Sequence, residues 1–296
     1  MSHGHHNGGR SASQGRLAIT LALAASYAVA EVIGGILSGS LALLADAGHM
    51  LSDVFALTLS LVALRVAQRP VTPQRTYGYH RTEILAALAQ GVLLVVVSIA
   101  IFVQSFERLA TPQPVLAGPM LLIATGGLLV NLIGLAVLRG SARDNLNMRG
   151  AFLHVASDTL GSVGAMLAGG LIWAFGWLWA DPLVSLGIGL LIIRSSWFLL
   201  REAVEVLMEG APSRIVVVDV ERSIGSLSGV VEVHDLHVWT ITSGMVALSG
   251  HVVVAENGSH GALLQQICDL LAERFGIEHS TIQIEPPGFT EPGIVC

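Results

Sequence analysis

Ala45-Asp-Ala-Gly-His49-Met-Leu-Ser52-Asp53 and Ala151-Phe-Leu-His154-Val-Ala-Ser157-Asp158 share one lettering, His-x-x-Ser-Asp, and each lies inside a long apolar stretch. A spacing of four places His and Asp on one face of a helix, one turn apart. An ionisable side chain at membrane depth costs about 2.5–3.5 kcal/mol on insertion scales. Four such groups need something to bind. Two neutral imidazoles and two carboxylates form a borderline-soft four-ligand shell, and tetrahedral zinc is the metal that suits it. The plainer reading makes each pair a local hydrogen-bonded unit that glues helices. Small residues back both pairs: Ala45, Ser52, Ala56 and Ser60 along one stripe, Gly161, Ser162, Ala165 and Gly169 along the other. Small residues let helices approach closely in lipid. The repeated spacing therefore favours one shared cation site at His49, Asp53, His154 and Asp158.

Composition agrees with a membrane setting. The chain of 296 residues is 53% hydrophobic and 12% charged, a balance that soluble domains do not show. Every basic residue is Arg, and the net charge of −6 gives no nucleic-acid footprint. Cys268 and Cys296 form no disulfide framework and no Cys-x-x-Cys site. Six stretches approach the roughly 20 apolar residues that a span needs: 17–37, 41–64, 84–106, 115–138, 151–175 and 183–200. The expected architecture is an α-helical membrane protein with six transmembrane helices in 17–208. A His-containing tail over 1–16 precedes it and a small α+β domain over 209–296 follows.

Arginines orient the set. Arg65, Arg69, Arg75 and Arg81 crowd the connection after span 2; Arg139, Arg143 and Arg149 crowd the one after span 4. The opposite connections offer only Arg108. The positive-inside rule then places both termini in the cytoplasm. Asp181-Pro182 reads as the N-cap and first residue of span 6.

After Gly210-Ala211-Pro212 the texture changes. A helix is expected over 213–227, a hairpin of strands over 230–241 and 245–255, a second helix capped by Ser259 and ending near Phe275, and a strand over 280–285. The order αββαβ makes a small α+β sandwich. It is rich in ligand types: His234, Asp235, His237, His251, His260, His279 and Glu285. These are either solvent-facing groups or a metal site that draws two surfaces together. His3, His5 and His6 are either an unstructured head or a metal-catching tail. Asp46 reads as a helix-start or interfacial group. Glu31 and Asn131 read as packing or hydration groups, with a proton relay the alternative for Glu31.

The segment Ser38-Gly-Ser-Leu-Ala-Leu-Leu-Ala-Asp46-Ala-Gly-His49-Met-Leu-Ser-Asp53 resembles the span-2 signature of the cation diffusion facilitator family, in its zinc-transporting branch. Tyr77-Gly-Tyr-His-Arg-Thr-Glu83, Asp181-Pro182 and His234-Asp-Leu-His-Val-Trp239 are similar to further patterns of that family. The resemblance covers nearly the whole chain. It implies a homodimeric exporter in the cell (inner) membrane that exchanges cytosolic Zn²⁺ for H⁺ and carries a ferredoxin-like, metallochaperone-like cytosolic domain. His49, Asp53, His154 and Asp158 match the family's transport site. A His at the first of these goes with zinc-selective members. His234, His251 and Glu285 match cytosolic ligand positions, with His260 beside them, and Gln283 stands where some relatives have His. Arg81 matches a basic residue that interlocks spans 3 and 6; Met208 occupies its usual carboxylate position, with Glu209 adjacent. Some members hold a further metal in the loop after span 2, but residues 67–79 contain no Asp, Glu or His.

The reading is a Zn²⁺/H⁺ antiporter working by alternating access, with the lipid bilayer, Zn²⁺, H⁺ and a second copy as its partners and no nucleic acid. Zinc needs neutral imidazoles and ionised carboxylates, and protons from the far side compete for the same lone pairs. The alternatives are a membrane metal sensor that signals through the C-terminal domain and, behind it, an intramembrane metalloenzyme. An enzyme would keep an open metal position and a general base, and the four-ligand shell offers neither.

Overall fold

The computed structural model describes residues 7–139, 146–242, 244–255 and 260–289. Six long helices come first: α1 Asn7–Ser38, α2 Leu41–Ala67, α3 Thr82–Ala110, α4 Ala117–Arg139, α5 Leu146–Phe175 and α6 Ala180–Leu207. Among the described residues, α2 to α6 are long and apolar enough to cross a membrane, and α1 contributes an apolar stretch, Ala22–Ser38. Each apolar stretch read from the sequence lies within one helix, except that the fourth, read from 115, begins two residues before α4. α1 starts earlier than expected, at Asn7, so part of the stretch read as a tail is helical. His3, His5 and His6 lie outside the described residues.

The chain divides into two compact units. The first holds residues 1–58 and 90–198. Its core joins Ala42, Leu43 and Ala45 of α2 to Leu94 and Ile101 of α3, Met120 and Ala124 of α4, Ala165 and Ala168 of α5, and Ile188 and Ile192 of α6. The core is rich in alanine because helices in lipid gain nothing by burying large apolar groups against one another; close approach and dispersion hold them instead. Gly161 is one place where this matters, since a Cβ there would lie 2.7 Å from Asp46 Oδ1. Leucines and tryptophans such as Leu122 and Trp197 face outward, as a lipid-facing surface requires.

Asp181 corrects the sequence reading. α6 begins at Ala180, so Asp181 lies inside its first turn rather than at its N-cap. Its carboxylate instead accepts from the backbone N–H of Leu41 (2.8 Å) and Ala42 (3.1 Å) and from Ser40 Oγ (2.6 Å). Ser40 Oγ in turn accepts from Leu43 N–H at 3.2 Å, and Arg108 Nη1 of α3 stands 3.5 Å from Asp181. A carboxylate of α6 thus caps α2, where free N–H groups and the positive end of the dipole favour an anion. The register of α2, which carries His49 and Asp53, is fixed at this end. Asp46 is also corrected: it is fully buried between α2 and α5, not at a helix start.

The second unit holds residues 59–89 and 199–296. It contains α7 Val217–Gly225, β1 Val230–Thr242, β2 Met245–Val254, α8 His260–Phe275 and β3 His279–Glu285. The order αββαβ is as expected. β1 pairs antiparallel with β2, and β2 pairs parallel with β3, in the order β1-β2-β3. Val220 and Ile224 of α7 and Leu263, Ile267 and Leu271 of α8 cover the apolar face of the sheet, with Val238, Leu248 and Val252 beneath them. α7 is shorter than the expected 213–227, because Ile215 N–H closes a turn onto Pro212 and Val216 is extended. Ser259, the expected cap of α8, lies outside the described residues. Arg81 Nη2 meets Glu209 Oε1 at 2.8 Å, so the interlock is made by Glu209, whose left-handed backbone (φ 61°) turns it back after α6 ends. Thr242 Oγ1 donates to Glu83 Oε2 at 2.6 Å, tying the sheet to the start of α3.

Asp181→Ala leaves the α2 amides and Arg108 without their buried acceptor. The expected cost is about 2–4 kcal/mol, read as a lower unfolding midpoint of the purified protein in detergent. An unchanged midpoint would remove the cap from the account of the fold.

Candidate metal centre

α2 and α5 bring the two repeated pairs together within the first unit. His49 Nε2 is 3.8 Å from Asp53 Oδ2 on its own helix and 3.8 Å from Asp158 Oδ1 across the helix gap. His154 Nε2 is 3.2 Å from Asp53 Oδ2 and 3.7 Å from Asp158 Oδ2. Each imidazole therefore faces both carboxylates. The two rings meet edge-on, 5.8 Å apart between centroids. A tetrahedron with metal–ligand bonds near 2.0–2.1 Å has its donors about 3.3 Å apart; one donor atom each of His49, Asp53 and His154 falls within 4.8 Å of the others, whereas Asp158 turns Oδ1 to His49 and Oδ2 to His154 and does not complete that group. His49 Nδ1 and Asp158 Oδ1 are buried with no hydrogen-bond partner among the described residues. Buried polar atoms are nearly always satisfied, and an ion in the ring answers the second of these directly.

Access is asymmetric. His154 is 46% exposed at its side chain and Asp158 only 4%. A cavity of about 80 Å³ opens onto Asp53, His154 and Asp158, walled by Thr20, Met50 and Leu138. Thr20 precedes Glu31 along α1, Leu138 closes α4, and His154 precedes Asp158 along α5, so the cavity lies toward the end of the bundle where the 139–146 connection emerges. The larger cavity, about 800 Å³ in the second unit between residues 74–82 and β1, adjoins no donor cluster among the described residues.

The sheet carries the other cluster. His234 and His251 are cross-strand partners on β1 and β2, and Glu285 sits on β3 opposite Val253, two residues along β2 and so on the same face. His234 Nε2 is 3.1 Å from Glu285 Oε2, and His251 Nδ1 is 3.0 Å from Glu285 Oε1. One donor atom from each residue falls within 4.8 Å of the others. Two imidazoles and a carboxylate at this spacing are a zinc-type donor set. Gln283 Nε2 donates to Glu285 Oε1 at 2.8 Å and steadies the carboxylate. His260, on the first turn of α8, is exposed and is not brought into this group. Asp235, grouped with the ligand types in the sequence, lies beside this cluster. A β-bulge between His234 and His237 gives it φ 48°, and its carboxylate reaches His237 (3.0 Å) and His251 (4.0 Å). A strict period of two cannot reveal such a bulge.

Comparison with known proteins follows the same division. A family model described as the cation efflux transmembrane domain matches residues 17–208, and one described as the cation efflux protein, cytoplasmic domain, matches residues 212–287. A "Cadmium, cobalt and zinc/H(+)-K(+) antiporter" of Bacillus subtilis (strain 168) is 43% identical over 290 residues, spanning 96% of this chain and 92% of the relative. The "Zinc transporter ZitB" of Escherichia coli (strain K12) is 44% identical over 272 residues, 91% of this chain and 87% of that one. A solved structure titled "Metal-bound C-terminal domain of the CzcD transporter from Cuprividus metallidurans" is 38% identical over 24% of this chain and 99% of its own, with a TM-score of 0.23. With family models covering both parts, and relatives above 40% identity across nearly its full length, this chain belongs to the cation efflux family of transporters and is not an enzyme.

Proposed function

We propose that this protein exports Zn²⁺ from the cytoplasm in exchange for H⁺, working as a homodimer in the cell (inner) membrane with both termini cytoplasmic. The observation that carries the reading is the group of His49, Asp53, His154 and Asp158, in which each imidazole meets a carboxylate of the other helix. Its ligands are the substrate's ligands. A relative named as a zinc transporter and one named as a cadmium, cobalt and zinc/H⁺–K⁺ antiporter support zinc as cargo and H⁺ as a counter-ion. The matched cytoplasmic model, ZT_dimer, is named for a dimer. The orientation rests on the arginines after spans 2 and 4.

The chemistry follows from shared lone pairs. Zinc enters through the cavity beside His154 and replaces protons on the imidazoles. After the helices rearrange, protons from the other side take the same nitrogens and weaken the shell to two carboxylates, and zinc leaves. A four-ligand shell holds the ion without activating water, which is why the enzyme reading fails. The sensor reading does not need the cavity onto His154 or a repeated intramembrane site, and it is not favoured. In the cytosolic domain, His234, His251 and Glu285 would hold a zinc ion off the transport path. That ion would stabilise the dimer's cytosolic contact when zinc is plentiful, since a ligand favours whichever state binds it better.

Zinc uptake by proteoliposomes under an imposed pH gradient tests the reading. Asp53→Ala and Asp158→Ala should each abolish uptake while leaving a folded protein. Robust uptake by Asp158→Ala would sink the assignment.

Zinc affinity at the transmembrane site should fall on acidification. The direction is fixed, because only the neutral ring binds metal. With two imidazoles competing, the limit is about a hundredfold per pH unit. Calorimetric titration with zinc at several pH values reads it, and an affinity that rose on acidification would exclude imidazole ligands.

Replacing His251 and Glu285 together by Ala should lower the zinc-to-protein ratio but reduce transport only in part. Complete loss of transport in a folded variant would put these residues on the path. An unchanged metal content would make them a solvated surface.

A further inference from the structure

The transport ring is not the end of the buried polar groups. Glu31 of α1 is 1% exposed, and its Oε2 has no hydrogen-bond partner among the described residues. Glu31 Oε1 and Ser162 Oγ flank Gly127 of α4: a Cβ at 127 would lie 2.8 Å from the first and 3.2 Å from the second. Ser162 Oγ accepts from Asn131 Nδ2 at 3.2 Å and donates to Asp46 Oδ2 at 3.5 Å. Glu31 and Ser162 thus both border Gly127, and Ser162 reaches Asp46, which places three oxygen-bearing groups in succession between α1, α4, α5 and α2. Ser162 is one turn beyond Asp158 on α5, and Asp46 is nearly one turn before His49 on α2. This succession continues from the ring away from the cavity that admits solvent to His154.

The titratable groups facing Glu31 are Tyr27 on its own helix, Asp46 from α2 and Asp158 from α5. α4 faces it with Gly127 and Asn131, which do not titrate. No basic side chain faces it among these. Hard metal ions need about six or more oxygens, and Glu31 Oε2 is the oxygen here that is buried without a hydrogen-bond partner among the described residues. One free oxygen suits a proton.

We infer that Glu31 is a proton-carrying group distinct from the metal ligands. It takes a proton from the side opposite the cavity and passes it through Ser162 and Asp46 toward the ring. The inference rests on the proton antiport proposed for this site and names the group that loads it. The step balances simply. A proton leaves the Glu31 carboxyl, the Ser162 hydroxyl accepts one and releases its own to Asp46, and Glu31 is left as carboxylate to be recharged.

The test uses the full-length protein in vesicles with a zinc dye and a pH dye. For Glu31→Gln, exchange of labelled for unlabelled zinc without a pH gradient should stay within about threefold of the unaltered protein. Zinc uptake driven by a pH gradient should fall about tenfold or more, with loss of the accompanying proton flux. Glu31→Asp, which keeps the carboxyl, should recover part of the coupled uptake. Gradient-driven uptake at the unaltered rate in Glu31→Gln overturns the inference. So does loss of zinc exchange and of gradient-driven uptake together in both variants, which would make Glu31 a packing or metal-path group. An unaltered protein whose zinc flux ignored the pH gradient would overturn the antiport reading itself, and that outcome is visible before any variant is made.

Discussion

A carboxylate in hydrocarbon has no water to answer its charge, so a neighbouring helix must do so. Asp181 is answered by the amides of α2 and by Arg108 of α3. Asp53 and Asp158 are answered by imidazoles, each partly from the opposite helix. Asp46 takes a hydroxyl from α5. The helix bundle is therefore specified less by its apolar residues, which are interchangeable against lipid, than by which polar group meets which. The small residues serve the same end. Gly161 and Gly127 matter because the atom nearest each missing side chain is a carboxylate oxygen.

The ring of His49, Asp53, His154 and Asp158 sits between two elements that share no backbone hydrogen bonds. α2 is fixed at its start by the Asp181 cap, and His49 and Asp53 follow from that register. α5 carries His154 and Asp158 one turn apart. The contacts that join the pairs, His49 to Asp158 and His154 to Asp53, are side-chain contacts only. A small slide or rotation of either helix changes all the cross distances together. A cation held there would favour the geometry in which they are short, and protons on the imidazoles would remove that preference. Binding and helix position are thus two readings of one equilibrium.

Much of this was legible in sequence, and for a definite reason. Helical periodicity and four-residue spacing are local, so the His49–Asp53 and His154–Asp158 pairs could be placed on their faces before any fold was known. The αββαβ order followed from strand composition and turn residues. What sequence could not give was contact at a distance. Asp181 looked like the cap of its own helix, because the α2 amides that it meets are 140 positions earlier. Asp46 looked interfacial because nothing local says that Gly161 makes room for it. Glu209 replaced Met208 as the partner of Arg81 through a left-handed residue, and Asp235 turned toward His251 through a bulge. Both are backbone departures that period counting assumes away.

The two donor sets differ in the way their supports can move. His234, His251 and Glu285 are held by a ladder in which adjacent strands exchange backbone hydrogen bonds, and Gln283 fixes the carboxylate further. Such a site costs little to organise for an ion and much to open, because opening it breaks the sheet. The helical ring is the reverse. Among the described residues its donors pair with one another, and each helix keeps its backbone bonds when it moves as a body. Release of an ion into either compartment therefore leaves the fold intact. A cation efflux protein needs a site that empties as readily as it fills, and a pair of helices in lipid provides one that a sheet cannot.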